Sequence, residues 1–487
     1  MKKIKKYYRI IFQLTSPLSV GSGENNLTDR DIIRDSRGVP YIPGTALAGV
    51  YRSLFSKGTA DNYFGPELTE ERIQDSLKNG INKLKDSDIV TYDAYPEVYT
   101  EKLVTKRDMV ALDDYKTAVP GAKFDFQVLE PGLTFVTYIE QNMDDPKQQW
   151  VLDEIASAWM EGRISVGAKT GRGYGHTKAI KEYSAIFDLR TEKEKETEQE
   201  SQVGQDDNMK KLAEWLSFDM YDSEDKNWSI ADYKKISGIC AENPQEKCSI
   251  TLELRQQGGI SVRQYTTEVD EADYKQLTAR RIAGEEGENE KEGTPVIPGT
   301  SWAGAFRAQM GRLDSEFCKG RATAEKFFGK AKNKGKDSRK SRIGFSESRI
   351  TGGKWVVNTR NAIDRFTGGT VDGALYTEKT YYNGRTVLEI TWDFSGYDEE
   401  AFSVSGYDEE AFSVSENERK KFAETMAAAI LDLNSGYMAV GGLTAIGRGL
   451  FAVEKITVNK KEFAFADRAV EDIYPELVKA ITGKEEL

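Results

Sequence analysis

The chain has 487 residues, of which 38% are hydrophobic and 10% aromatic, enough for more than one buried core. A formal net charge of -12 argues against coating nucleic acid through an overall positive field, although it leaves room for a local basic groove. Three cysteines and the single histidine, His176, exclude a disulfide framework and a Cys/His zinc site, leaving carboxylates, lysines, tyrosines or a metal to carry any chemistry.

The opening "MKKIKKYYRIIFQL" alternates apolar and polar residues and lacks a small-residue cleavage site, which predicts a first strand instead of a signal peptide. No apolar run reaches the roughly 18 residues of a membrane span, so a cytoplasmic chain is expected, away from any membrane. The loop "GSGENNLTDRDIIRDSRG" then interleaves Asp29, Asp31 and Asp35 with Arg30, Arg34 and Arg37. Solvated surface is its plainest reading, but a carboxylate flanked by arginines is also what RNA hydrolysis without histidine requires.

"VPYIPGTALAGVYRSLF" from Val39 predicts a helix with Leu47, Val50, Tyr51 and Leu54 on one face. Thr45 is placed to cap its free N–H groups and Arg52 lies one or two turns on, an arrangement that suits either a capped helix start or a bound phosphate. "NYFG" follows at Asn62, and later the alternating residues on both sides of Pro131-Gly132 read as a hairpin. "GAKTGRGYG" closes this half: Gly167, Gly173 and Gly175 permit close backbone approach, while Lys169 and Arg172 bring charge. It has neither the P-loop ending nor the dinucleotide-loop spacing.

"TEKEKETEQESQVGQDDN" from Thr191 has almost nothing to bury and predicts a charged linker, followed by the helical spacing of "MKKLAEWLSFDMYD". With "CSITLELRQ", where Ile250, Leu252 and Leu254 alternate with polar residues, a second unit begins and the same landmarks return in order. A mixed loop places Asp270 and Asp273 before Arg280 and Arg281; "TPVIPGTSWAGAFRAQM" from Thr294 carries Thr300, Ser301 and Arg307 with Trp302, Ala305, Phe306 and Met310 as its apolar face. "KFFG" at Lys326, alternation around Asn383-Gly384, and "GGLTAIGRG" with Gly441, Thr444, Gly447, Arg448 and Gly449 complete the set. Four landmarks in one order, twice, make a tandem duplication, with units over 1–190 and 247–487 and a bridge over 191–246. Phe327 and Phe328 sit in a basic run from Cys318 that reads either as a solvated loop or as a nucleic-acid contact. "GYDEEAFSVS" occurs twice without substitution, from Gly396 and Gly406, and reads as a recent slip or artificial addition in a surface loop.

Taken together, "TDRDIIRDSRGVPYIPGTALAG", "PVIPGTSWAG", "NAIDRFTGGTVDGALYTEK" and the two glycine-rich loops resemble the RAMP superfamily of CRISPR proteins. The resemblance is to backbone subunits of type III effector complexes of the Csm and Cmr kinds, and to the fused pairs of type III-D systems. It implies an α+β fold, two tandem ferredoxin-like (RRM-related) domains with inserted loops and protruding hairpins. It also implies binding of crRNA, kinking of the guide–target duplex by the hairpins, and cleavage of complementary target RNA by a loop aspartate with a divalent cation, Mg or Mn. Carried onto this chain, that aspartate falls on Asp29 and, across a longer loop, on Asp273, with Asp270 as second choice. RNA contacts would come from Thr45, Arg52, Gly167, Lys169, Arg172, Gly173, Gly175, Thr300, Ser301, Arg307, Gly441, Thr444, Gly447, Arg448 and Gly449. A lysine common in the family after Pro-Gly is absent, with Ala48 and Ala303 at those places. Other type III effector subunits would be partners. Alternatives are a purely structural RNA-binding subunit of the same complex and a crRNA-processing endoribonuclease.

Overall fold

The computed structural model describes residues 2–21, 28–66, 85–112, 117–190, 205–231, 248–265, 272–279, 293–318, 322–329, 341–394, 414–463, 465 and 468–483. The acidic linker from Thr191, Asp270, Arg280 and Arg281, most of the basic run after Cys318 and nearly all of the doubled decapeptide lie outside these residues.

The first unit is built on β1 (Ile4–Leu14), which pairs antiparallel with both β5 (Thr134–Met143) and β6 (Thr177–Asp188), while β2 (Ile89–Thr91) pairs with the far edge of β5. The order β6-β1-β5-β2 is the 4-1-3-2 arrangement of a βαββαβ ferredoxin-like sheet. One face is covered by α1 (Gly44–Arg52), α2 (Lys57–Phe64) and α3 (Trp150–Met160). Tyr8, Ile10 and Phe12 of β1 meet Leu47, Tyr51, Ile155 and Trp159 there, all of them buried. Leu47 and Tyr51 fall on the expected inner face of α1, and Trp159 Nε1 donates to the Tyr51 hydroxyl at 3.1 Å, so the indole N–H is satisfied inside this apolar layer.

The second unit repeats the plan. β7 (Cys248–Gln257) lies between β11 (Arg385–Trp392) and β12 (Leu450–Val458), with β8 (Ile343–Phe345) on β11. Helices α5 (Gly299–Cys318), α6 (Ala322–Phe328) and α7 (Glu416–Asn434) close its core, and α8 (Val470–Thr482) packs on α7. Trp302, Phe306 and Met310 are fully buried, as the spacing of that helix requires. Ser415, the last residue of the doubled decapeptide, caps α7 in a reciprocal pair with Glu418, so the duplication leaves a complete helix start behind it.

Three expectations are corrected. The Pro131-Gly132 and Asn383-Gly384 turns do not close hairpins. β4 (Ala118–Leu129) pairs with β3 (Val104–Leu112), and β10 (Thr370–Tyr382) pairs with β9 (Lys354–Ile363); each turn passes the chain from a protruding hairpin back into the main sheet. Alternation gives strands but not their partners, and here the core claims β5 and β11. Phe327 and Phe328 are core residues: Phe327 stacks on Phe422 at 4.1 Å and Phe328 on Phe345 at 5.8 Å, so neither is available to a base. The segment after the linker docks instead of spanning: α4 (Gln205–Ser217) lays Trp215 against Tyr7, and Ser229–Ile230 adds a strand to β6. That cover explains why β1, although its sequence alternates apolar and polar residues, is buried on both faces.

Candidate nucleic-acid interface

The two loop aspartates occupy matching places. Asp29 Oδ2 accepts the N–H of Asp125 at 2.9 Å, and Asp273 Oδ2 accepts the N–H of Thr377 at 2.7 Å. Asp125 and Thr377 stand seven residues before Gly132 and Gly384, at the same level of their hairpins, so the shorter and the longer loop deliver their carboxylates to one position. Both aspartates are exposed. At the first, the contact is reciprocal, with Asp29 N donating to Asp125 Oδ1 at 3.0 Å. Lys106 pairs with Asp125, and that ion pair with the Asp29 N–H holds the Asp125 carboxyl below the usual range. Among the described residues no group of three or more His, Cys, Asp or Glu is gathered to hold a metal. A cation here would take Asp29 as a protein ligand and complete its sphere from water and phosphate, as magnesium commonly does.

Each helix after "IPG" starts where a glycine is obligatory. A Cβ on Gly44 would lie 2.6 Å from Thr91 O, and one on Gly299 would lie 2.3 Å from Phe345 O. Thr45 makes no capping hydrogen bond; Asp93 Oδ1 accepts the Gly44 N–H at 2.7 Å, so the cap comes from across the sheet edge. Arg52 is turned away from the helix start and is held by Asp61 and the carbonyls of Gly65 and Ala60. Thr300 and Ser301 are half-buried in the first turn of α5, and Arg307, two turns on, is exposed.

The glycine-rich loops are shaped from within. Gly175 and Gly449, at φ of +70° and +74°, are so close to Val166 O and Val440 O that a Cβ would fall 1.8 and 1.9 Å away. Gly167 and Gly441 press in the same way on Ser19 O and Ser261 O, at 2.6 and 2.9 Å. Lys169 and Leu443 both take the left-handed conformation before Thr170 and Thr444. Charge differs between the copies. Arg448 is buried and pairs with Glu378 at 3.0 Å, beyond reach of solvent, and Leu443 and Ile446 stand where the first loop has Lys169 and Arg172.

The first loop therefore holds the cations. Lys169 Nζ sits 3.3 Å from the Phe126 ring centroid and 4.8 Å from that of Phe124; burial, then the nearby Arg30 and Arg172, lower its pKa to about 8. Arg172 is likewise lowered by burial and by Arg307 of the second unit. Arg30, Lys169, Arg172 and Arg307 have no carboxylate partner among the described residues, and their mutual repulsion is felt from the Asp29 loop to α5. Unneutralised cations in an acidic protein are costly to gather without an anion to receive them. Two further residues escaped the sequence reading. Arg107 pairs with Glu347 across the two units, which no local pattern announces. Phe366, at the tip of the β9–β10 hairpin, is 99% exposed; a lone aromatic in "DRFTGG" between two alternating runs was the available signal.

A search of curated protein sequences returns no match. Among solved structures, a chain of the type III-B Cmr-β complex, imaged by cryo-EM bound to cognate target RNA, matches with 17% identity and a TM-score of 0.28. The match covers 37% of this chain and 60% of that one, so this chain spans less than two thirds of its length. The family model of the RAMP superfamily matches twice, over residues 11–178 and 284–452, one match within each of the two ferredoxin-like units; the chain belongs to the RAMP superfamily.

Proposed function

We propose that this chain is a crRNA-binding backbone subunit of a type III CRISPR effector complex, and that it positions complementary target RNA for cleavage beside Asp29 and Asp273. The carrying observation is the cluster of Arg30, Lys169, Arg172 and Arg307, unpaired among the described residues and adjacent to Asp29 in a protein of net charge -12. Such a cluster suits consecutive phosphates of a single strand, whereas bases would be read by pairing with the guide. The matching seats of Asp29 and Asp273 support two cutting positions, one for each unit.

In this reading the hairpins supply geometry. Phe366 at an exposed tip suits insertion into a base step, which splays the target strand and brings a 2'-hydroxyl in line with the next phosphate. A divalent cation, Mg or Mn, would be held by the aspartate and the RNA itself, and would supply charge stabilisation at the scissile phosphate. Asp29 would orient the attacking group, with Asp125 fixing it through two hydrogen bonds. A second reading is a structural subunit of the same complex without catalysis, in which both loops only hold RNA.

The test uses the assembled complex with complementary RNA and Mg²⁺. Asp29→Ala is expected to remove one cut and Asp273→Ala another, each leaving guide affinity unchanged. Cleavage at every position in the double variant would reject the catalytic role, and absence of any metal-dependent cut in the unmodified complex would favour the structural reading.

A further inference from the structure

The outer face of the first unit's sheet, on the side away from its helices, has a composition that its duplicate lacks. Cross-strand register sets Arg9 between Tyr138 and Tyr183, Tyr7 between Glu140 and Ala185, and Lys5 between Asn142 and Phe187. The rows on the same face of the second unit are Arg385, Arg255 and Ala452; Val387, Glu253 and Lys455; and Glu389, Thr251 and Thr457. They contain no ring, and Glu253 and Arg255 are exposed. Rings and cations side by side on a four-stranded sheet are what single-stranded RNA needs to stack its bases and lay down its phosphates.

In this chain the face is covered by residues 215–230. Trp215 Nε1 donates to the Tyr7 hydroxyl at 3.0 Å, and the Lys5 ammonium lies 5.2 Å from the centroid of the Trp215 ring. Phe218 packs on Tyr7 with ring centroids 5.0 Å apart, Tyr221 stands edge-on to Tyr138 at 5.1 Å, and Arg9 donates to Ser223 O at 3.3 Å. Between its rings the stretch from Phe218 to Trp228, "FDMYDSEDKNW", carries four carboxylates and one lysine. Rings on an acidic thread reproduce the two groups that an RNA strand offers, base and phosphate. The cover is also incomplete. Arg9 Nε and Trp228 Nε1 are buried without a hydrogen-bond partner among the described residues, a desolvation cost that a well-matched core avoids. A cavity of about 270 Å³, lined mainly by Tyr7, Tyr92, Glu140, Trp215 and Phe218, remains between the segment and the sheet, with room for one planar base.

We propose that this face is a second surface for single-stranded RNA, and that residues 215–230 lie on it as a displaceable, autoinhibitory strap. With the strap released, Tyr138 and Tyr183 each stack a base, while Lys5 and Arg9, freed from Trp215 and Ser223, each meet a phosphate. The strap weakens binding by the fraction of time it stays docked. The surface shares no residue with the Asp29 loop or with the cluster around Lys169, so it depends neither on cleavage nor on RNA held there.

Hydrogen exchange and RNA binding test the strap in the full chain. Trp215→Ala with Phe218→Ala removes two rings that anchor it, and the Ala231 amide, which donates to Glu182 O at 3.0 Å, should then exchange faster. Affinity for an oligouridylate of about six nucleotides should rise at least about tenfold. Its salt slope should steepen by about 1.4, the value for two single-strand phosphate contacts. Tyr7→Phe, which removes only the acceptor of the Trp215 N–H, is the milder arm and should move exchange and affinity the same way by less. Adding Tyr138→Ala and Tyr183→Ala to the double variant should cancel the gain. Each variant is compared with the unmodified chain, so the gain is visible whether or not that chain binds RNA through the Lys169 cluster. Unchanged affinity once the strap is released would make it a permanent cover and overturn the proposal. A strap that stays protected in the double variant, or a gain that survives the loss of Tyr138 and Tyr183, would overturn it as well.

Discussion

At the scale of single residues, the buried titratable groups give the sharpest tests. Lys169 has a pKa lowered to about 8 by burial and by Arg30 and Arg172, so it loses its charge within an accessible range. RNA affinity of the free protein should weaken between pH 7 and 9, and the salt slope should shrink by about 0.7, the single-strand value for one phosphate contact. Lys169→Arg should abolish that pH response; a response that persists would remove Lys169 from the contact. The same shift carries a stability sign: the unfolded chain holds more protons between about 8 and the ordinary lysine value of 10.5, so stability rises with pH across that window. Glu182 behaves oppositely. It faces the first unit's core within electrostatic reach of Tyr51, neither carboxylate oxygen has a hydrogen-bond partner, and burial raises its pKa from 4.5 to about 8. The folded chain then holds more protons between those values, and stability falls as pH rises through them, on the order of 1 kcal/mol per pH unit. Denaturant titrations at pH 5 and pH 8 should show Glu182→Gln losing less stability than the unmodified chain over that interval.

At the scale of elements, the glycine loops and the hairpins separate shape from contact. Gly175→Ala forces a Cβ to 1.8 Å from Val166 O and breaks the pairing in which Val166 N donates to Gly175 O at 2.8 Å. Its cost should exceed about 3 kcal/mol, whereas Gly447→Ala, with a φ of +80° and open space around it, should lose only the 1–2 kcal/mol or so of left-handed strain. Equal losses in chemical denaturation would contradict this account of the loops. Phe366 is the converse case, because a side chain 99% exposed stabilises nothing in the fold. Phe366→Ala should leave the melting temperature within error and slow target cleavage by about tenfold, the worth of one lost base stack. The helices divide in the same way: Leu47, Tyr51, Trp302 and Phe306 could be placed inward from spacing alone, while the cap of α1 could not, because Asp93 reaches it from 49 residues away.

At the scale of the whole molecule, the order of landmarks was enough to establish a duplicated α+β chain, because each unit must bury its own sheet and so repeats its own apolar periodicities. The repeat also pointed to the loop before "IPG" in each unit as the place of a candidate aspartate, although the second loop is longer, so spacing alone did not choose between Asp270 and Asp273. What the linear order could not express is pairing between elements. The Pro131-Gly132 and Asn383-Gly384 turns looked like hairpins because alternation is blind to which strand lies alongside. Arg52 and Arg448 looked like phosphate contacts because charge in a string carries no information about burial, and only folding set Asp61 and Glu378 beside them. The docking of α4 on β1 and the Arg107–Glu347 lock between the units belong to the same class. Local propensity and periodicity are properties of neighbouring residues, so sequence determined the elements, the duplication and the candidate aspartates. Electrostatic partnership and burial depend on groups brought together from distant parts of the chain, so tertiary structure alone decided which cations stay free beside Asp29 and how one unit grips the next.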